Sequence, residues 1–96
     1  MDYLTVAWSY EDELSNIKAF KVNFKEAREV ILNSSSLKLR NIHKDYTFIG
    51  PVDGLSKILA VYCMKDDGFR RILTARKAIL KEENAYFSFL AMGGLE

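Results

Sequence analysis

The 96-residue sequence is poor in the residues that build metal centres, cross-links and linkers: one cysteine, one histidine, one proline and five glycines. A single cysteine, Cys63, excludes an internal disulfide and a thiolate zinc cluster. A single histidine, His43, excludes a two-histidine metal site and a two-histidine acid–base pair. No Pro- or Gly-rich stretch marks a linker, and no internal repeat or low-complexity tract is present. The longest apolar run, Ile58-Leu59-Ala60-Val61-Tyr62-Cys63-Met64, falls far short of the about 20 residues that cross a bilayer. The first residues, Met1-Asp2-Tyr3-Leu4, lack the positive stretch of a signal peptide, so the expected location is cytoplasmic, with no membrane partner. Chemistry, if there is any, must run on Lys, Arg, Glu, Asp, Tyr and one His, and the expectation is that it needs no cofactor and no metal.

What is present suits one small globular domain. Hydrophobic residues make up 49%, aromatics 12% and charged residues 28% of the chain. Residues 1–92 form the expected domain, and residues 93–96 a tail in which Leu95-Glu96 has the form of a vector-derived remnant. The net charge of +1 conceals an asymmetry. Residues 1–35 carry six acids against four bases, residues 36–81 ten bases against four acids, and the remainder three acids. A basic middle fits either a polyanion or acidic partner or a solvated sheet surface.

Leu4 to Trp8 reads as a short strand of β-branched and aromatic residues. Ser9 then stands at an N-cap position with Glu11, Asp12 and Glu13 in the first turn, which predicts a helix over 10–20 with Leu14, Ile17 and Phe20 or Lys21 on its packed stripe. Asn23 and Glu26 have capping-box spacing, and Phe24, Ala27, Val30 and Ile31 recur at helical intervals, predicting a helix over 24–32. Leu37 to Arg40 and Tyr46 to Ile49 alternate as strands, and Gly50-Pro51-Val52-Asp53-Gly54 reads as a turn. Lys57 to Met64 is apolar on both faces, which predicts the central strand. Lys65-Asp66-Asp67-Gly68 reads as a hairpin turn, and Phe69 to Thr74 as the last strand. A helix over 76–91 follows, packed by Ile79, Tyr86 and Phe89 and closed by Gly93-Gly94. The order β-α-α-β-β-β-α predicts an α+β fold: a mainly antiparallel sheet of four or five strands, with two N-terminal helices and one C-terminal helix.

Arg71-Ile72-Leu73-Thr74-Ala75-Arg76-Lys77-Ala78, followed by Glu82 and Tyr86, resembles the RIISARKA…E…Y stretch of the BrnT family, toxins of type II toxin–antitoxin pairs with a RelE-like ribonuclease fold. Trp8, Asn16, Val22, Phe24, Glu26 and Ala27 match that family's N-terminal pattern, and Ile49-Gly50 with Ile58 to Tyr62 match its centre. The resemblance spans roughly residues 4–90. It departs from the pattern where the family has Lys-His-Gly and this chain has Ala19-Phe20-Lys21. The family's Asp after Trp is here Ser9, and the Arg ahead of the Ile-Gly strand falls near Asp45.

The resemblance implies metal-independent cleavage of messenger RNA. It also implies neutralisation by a BrnA-like cognate antitoxin, with DNA met only indirectly through that antitoxin. In such a reaction a 2′-hydroxyl attacks the neighbouring phosphate, a base and an acid move protons, and cations stabilise the dianion. Arg71, Arg76 and Lys77 are the expected phosphate ligands, since guanidinium and ammonium groups suit phosphate oxygens and a helix N-terminus adds its dipole. His43 stands as a candidate acid or base, it or Lys21 being able to replace the absent histidine, or else as an exposed turn residue. Lys57, Arg70 and Tyr86 are the expected RNA contacts. The competing reading of Arg76 and Lys77 is a solvated helix start, of Arg71 a stem over apolar surface, of Tyr86 core packing, and of Glu82 a helix-surface charge. Trp8 and Cys63 read as core. The alternative for the whole chain is a degenerate, non-catalytic protein-binding module on the same scaffold.

Overall fold

Five strands and three helices are described in a computed structural model covering residues 5–41, 45–54, 57–66 and 69–93. They are β1 (Thr5–Ala7), α1 (Tyr10–Phe20), α2 (Phe24–Leu32), β2 (Leu37–Arg40), β3 (Asp45–Val52), β4 (Lys57–Asp66), β5 (Phe69–Lys77) and α3 (Leu80–Ala91). The sheet order is β1-β5-β4-β3-β2, with β4 in the centre. Strands β2 to β5 form an antiparallel meander, and β1 joins the far edge parallel to β5, with Thr5 opposite Phe69. The fold is therefore α+β on a mixed, mainly antiparallel sheet. Leu4, His43, Asp67, Gly68 and residues 94–96 lie outside the described residues.

Both early helices start where their caps stand. Ser9 Oγ accepts from the Asp12 N–H at 3.3 Å, and Asn23 Oδ1 from the Glu26 N–H at 2.9 Å. Lys21, at φ 61°, ends α1 in the left-handed region and turns the chain straight into α2. Glu13 ties the elements together: its carboxylate accepts from Trp8 Nε1 at 3.2 Å and from the Phe24 N–H at 2.9 Å. The Glu26 carboxylate accepts from Lys57 Nζ at 2.7 Å.

Strand alternation gives the sheet two buried faces. Helix α2 buries Phe24, Ala27, Val30 and Ile31 against Phe48, Val52, Leu59, Val61, Cys63, Ile72 and Ala75. Trp8 packs edge-on against Phe24 with ring centroids 6.1 Å apart. On the opposite face, Tyr86 and Leu90 of α3 pack on Ile49, Ile58, Ala60 and Ala78.

Four sequence expectations are corrected. Gly50-Pro51-Val52 is strand, not turn; the reversal sits at Asp53-Gly54, both at positive φ. Strand β5 runs on to Lys77, so α3 begins at Leu80. Ile79, expected in the core, is exposed. Helix α1 leaves Leu14, Ile17 and Phe20 largely exposed and buries Asn16 instead.

Candidate functional site

Arg76 is the sequence-predicted cation around which the structure assembles other functional groups. It stands near the end of β5 opposite Ala60, which makes Tyr62, two residues along β4, its diagonal neighbour on the α3 face. Tyr62 Oη lies 2.7 Å from Arg76 Nη2, and the guanidinium sits over the Tyr62 ring at 5.5 Å. The chain then turns into α3, where Glu82 reaches back. Its two oxygens accept from Arg76 Nη1 at 2.8 Å and Nη2 at 2.9 Å. Nη1 also donates to the Lys77 carbonyl at 3.3 Å. All four Nη hydrogens thus have partners.

The same Glu82 carboxylate accepts from the Ile79 N–H at 2.9 Å. Ile79 has no polar side chain to cap α3, so Glu82 meets the positive end of the helix from the third helical position. The hydrogen bonds from Arg76 hold the Glu82 carboxyl below its ordinary range, and the Ile79 N–H adds to this. In return the hydrogen bond to Glu82 holds Arg76 further into its charged form. Beside this cluster runs a polar row formed by Thr47, Tyr62 and Thr74, which lie opposite one another on β3, β4 and β5. Thr47 Oγ1 exchanges hydrogen bonds with Asn41, and Thr74 Oγ1 donates to Asn16 Oδ1 at 2.7 Å.

The other predicted site residues are dispersed. Arg71 is on the Arg76 face but opposite Met64, four residues along β4 from Ala60. That separates the two backbones by roughly 14 Å. Its Nη2 lies 3.8 Å from Asp12 Oδ2. Lys77 is opposite Leu59 and so points to the other face, where it is exposed. Lys57 is on that face too, paired with Glu26. Arg70 is 5% exposed beneath Tyr46 and Phe48, again on the face away from Arg76. Tyr86, at 1% exposure, is core and is not placed to touch RNA. His43 lies outside the described residues. Ala19 and Phe20 are both exposed, beside a cleft bounded by Asp12, Ser15, Leu73 and Thr74.

Sequence reasoning missed the Glu82–Tyr62 clasp on Arg76. The available signal was an acid three residues after a helix start that has no polar cap. It also missed the work of Asn16. That side chain donates to the Val22 and Ala75 carbonyls at 2.8 and 2.9 Å and accepts from the Ala75 N–H at 3.0 Å. It thereby pairs with β5 as a strand would, beyond the point where β1 ends.

Among the described residues no group of three His, Cys, Asp or Glu side chains is arranged to hold a metal ion, and no helix is long and apolar enough to cross a membrane. No protein-family model and no curated protein matches the sequence. Solved structures do give a match: the crystal structure of the Brucella abortus ribonuclease toxin BrnT is similar with a TM-score of 0.68 and 20% identity. The match covers 80% of this chain and 99% of that one. The polar cluster around Arg76 is thus carried on the fold of the BrnT ribonuclease toxin.

Proposed function

We propose that the chain is the toxin of a type II toxin–antitoxin pair: a metal-independent ribonuclease that cuts messenger RNA in the cytoplasm and is neutralised by a cognate antitoxin. DNA would be met only through that antitoxin. The observation that carries this reading is the fold shared with the Brucella toxin over 99% of that chain. The Arg76 cluster supplies the chemistry. A guanidinium held by a carboxylate and a phenol is pre-aligned for a phosphate whose charge grows in the transition state. A phosphodiester entering the site competes with Glu82 for the guanidinium fork. Displaced Glu82 regains basicity and can take the proton of the attacking 2′-hydroxyl, while the P–O5′ bond breaks to leave a 2′,3′-cyclic phosphate and Tyr62 can give its proton to the departing 5′-oxygen. Arg71, farther along the same face, and His43 complete the proposed catalytic set; Lys77, on the opposite face, is too far round the sheet to hold the same phosphate. Lys57 and Arg70 would add charge for the RNA, both from the opposite face.

The test is growth arrest on induction together with RNA cleavage in the presence of a chelator, for wild type, Arg76→Ala and Arg76→Lys, with folding checked by circular dichroism. Wild type should arrest growth and cut RNA with chelator present. Arg76→Ala should lose on the order of 10²-fold in cleavage rate. Wild type that neither arrests nor cuts would refute the catalytic reading. The second reading, a non-catalytic module that still binds its antitoxin, is favoured by two observations. Ala19 and Phe20 stand where the resembled family has Lys-His, and every Nη hydrogen of Arg76 is engaged within the chain.

A further inference from the structure

The face of the sheet away from Arg76 carries a second concentration of positive charge. Strand pairing sets Arg40 opposite Tyr46, and Lys65 directly opposite Arg70. Lys38 Nζ lies 4.7 Å from the centre of the Tyr46 ring, and Arg70 Cζ lies 4.6 Å from it. Four cations from three strands thus flank one half-buried aromatic ring on a fourth. Arg70 is 5% exposed, and its Nε and Nη1 have no hydrogen-bond partner. Among the described residues the three ion pairs lie elsewhere, at Lys57–Glu26, Arg71–Asp12 and Arg76–Glu82.

This arrangement is unfavourable for the isolated chain. Like charges directly opposite in a sheet repel, and a guanidinium taken out of water calls for a counter-charge. Protection of a sheet edge explains lysine and arginine on β2, which is an edge strand. It does not explain Lys65 on the central strand, nor Arg70 on β5, which is paired on both sides. A polyanion laid across the strands would supply a counter-charge that none of the described ion pairs gives. From β2 to β5 is three strand spacings, or roughly 14 Å, a span of two or three nucleotides of single-stranded RNA. Exposed Lys38, Arg40 and Lys65 can reach phosphates, while buried Arg70 raises the local potential from beneath. Tyr46 packs against the α2 core with Lys38 and Arg70 over its ring, so it holds the cations in place, and their charge attracts a strand without sequence preference.

We infer that the Lys38–Arg40–Tyr46–Lys65 surface, backed by Arg70, is a binding site for the sugar-phosphate backbone of single-stranded RNA, separate from the Arg76 cluster and on the opposite face of the sheet. The inference rests on the ribonuclease reading for its ligand class and adds where the RNA is held outside the cleavage site.

The test uses a short fluorescein-labelled 2′-O-methyl oligoribonucleotide, which cannot be cut because its nucleophile is capped. Binding is followed by fluorescence anisotropy across a salt series, for wild type and for Lys38→Ala/Arg40→Ala/Lys65→Ala. All three side chains are exposed, and a thermal melt confirms that the variant folds. Wild type should bind at low salt. The triple variant should bind at least tenfold more weakly, and its salt slope should fall by about 2, at roughly 0.7 for each phosphate no longer neutralised. An unchanged affinity and slope would overturn the inference, as would wild type that does not bind. It would also be overturned by wild type that prefers a poly-glutamate peptide to the oligonucleotide, since the face would then be a docking site for an acidic protein. Cleavage by wild type that is unaffected in the triple variant would leave the ribonuclease reading standing and this one refuted. Loss of oligonucleotide binding in the triple variant of a chain that never cuts RNA would do the reverse.

Discussion

Replacing Asn16 by alanine should be among the most damaging single changes to the fold, although it removes no sizeable apolar group. The side chain is 4% exposed and makes four hydrogen bonds. Alanine would strand the carbonyls of Val22 and Ala75 and the N–H of Ala75 at a place where β1 no longer covers β5. A buried backbone group left without a partner costs about 1–3 kcal/mol. With partial rescue by entering water, three such groups set a loss of about 3–5 kcal/mol, against a typical total stability of about 5–15 kcal/mol. In a chain of this size that lowers the melting temperature by on the order of 15–30 °C. Asn16→Asp sharpens the test. It retains the acceptor for the Ala75 N–H but sets a charged oxygen against two carbonyl oxygens. It should be at least as destabilising at neutral pH and recover in part as acid protonates the new carboxyl. The assay is urea unfolding followed by circular dichroism, with the midpoint compared at constant slope. A shift below about 0.5 kcal/mol for Asn16→Ala, the range of ordinary surface substitutions, would refute the reasoning.

Three further outcomes follow from the geometry. Glu82 has a folded-state pKa below its ordinary 4.5, so the stability it adds is full above that value and fades as pH falls through the depressed one; the gap between wild type and Glu82→Gln in urea midpoint should close in acid, and a gap that is constant with pH would contradict the pairing. Gly50→Ala should destabilise by about 1–3 kcal/mol, because its Cβ would collide with Ser36, whose hydroxyl donates to the Val30 carbonyl at 2.6 Å. Ser36→Gly in the same chain should recover part of that loss, and a Gly50→Ala melt identical to wild type would contradict the collision. Cys63 is fully buried and burial pushes its thiol pKa up, so a thiol-exchange reagent should label it only after urea unfolding; rapid labelling of the native chain would show that the core opens there.

Helices α1 and α2 are legible in the sequence because their starts are written in short-range chemistry, in the hydroxyl of Ser9 and the amide of Asn23. The centre of the sheet is legible because Ile58 to Met64 is apolar on both faces. The misreadings have tertiary causes. Pro51 looks like a turn residue, yet β2 leaves β3 at Ile49, so the missing N–H of Pro51 faces no strand and costs the ladder nothing. The sequence pattern starts α3 too early because Arg76, Lys77 and Ala78 favour helix, whereas pairing with Ala60 and Leu59 keeps Arg76 and Lys77 in β5. The stripe Leu14, Ile17 and Phe20 has the spacing of a packed face, but α1 docks along the edge of β5 through Asn16. At the site, Arg76 can be picked out as a cation near a strand end. Its clasp by Glu82 and Tyr62 cannot, since it joins three elements whose proximity only the folded chain creates.

The parallel pairing of β1 with β5 also shapes how the molecule can assemble. Strands β2 to β5 are a meander of neighbours, so their contacts close short loops and can form early. The first strand must wait: Thr5 has no partner until Phe69 is in place, and Asn16 has none until Ala75 is. Joining ends so far apart in sequence is the entropically costly step that slows folding. On a ribosome, the N-terminal strand and helix would emerge early and wait for the last strand of the sheet. Arg76 and Glu82 follow later still, so the candidate active site would be completed only when nearly all of the described chain is available to fold.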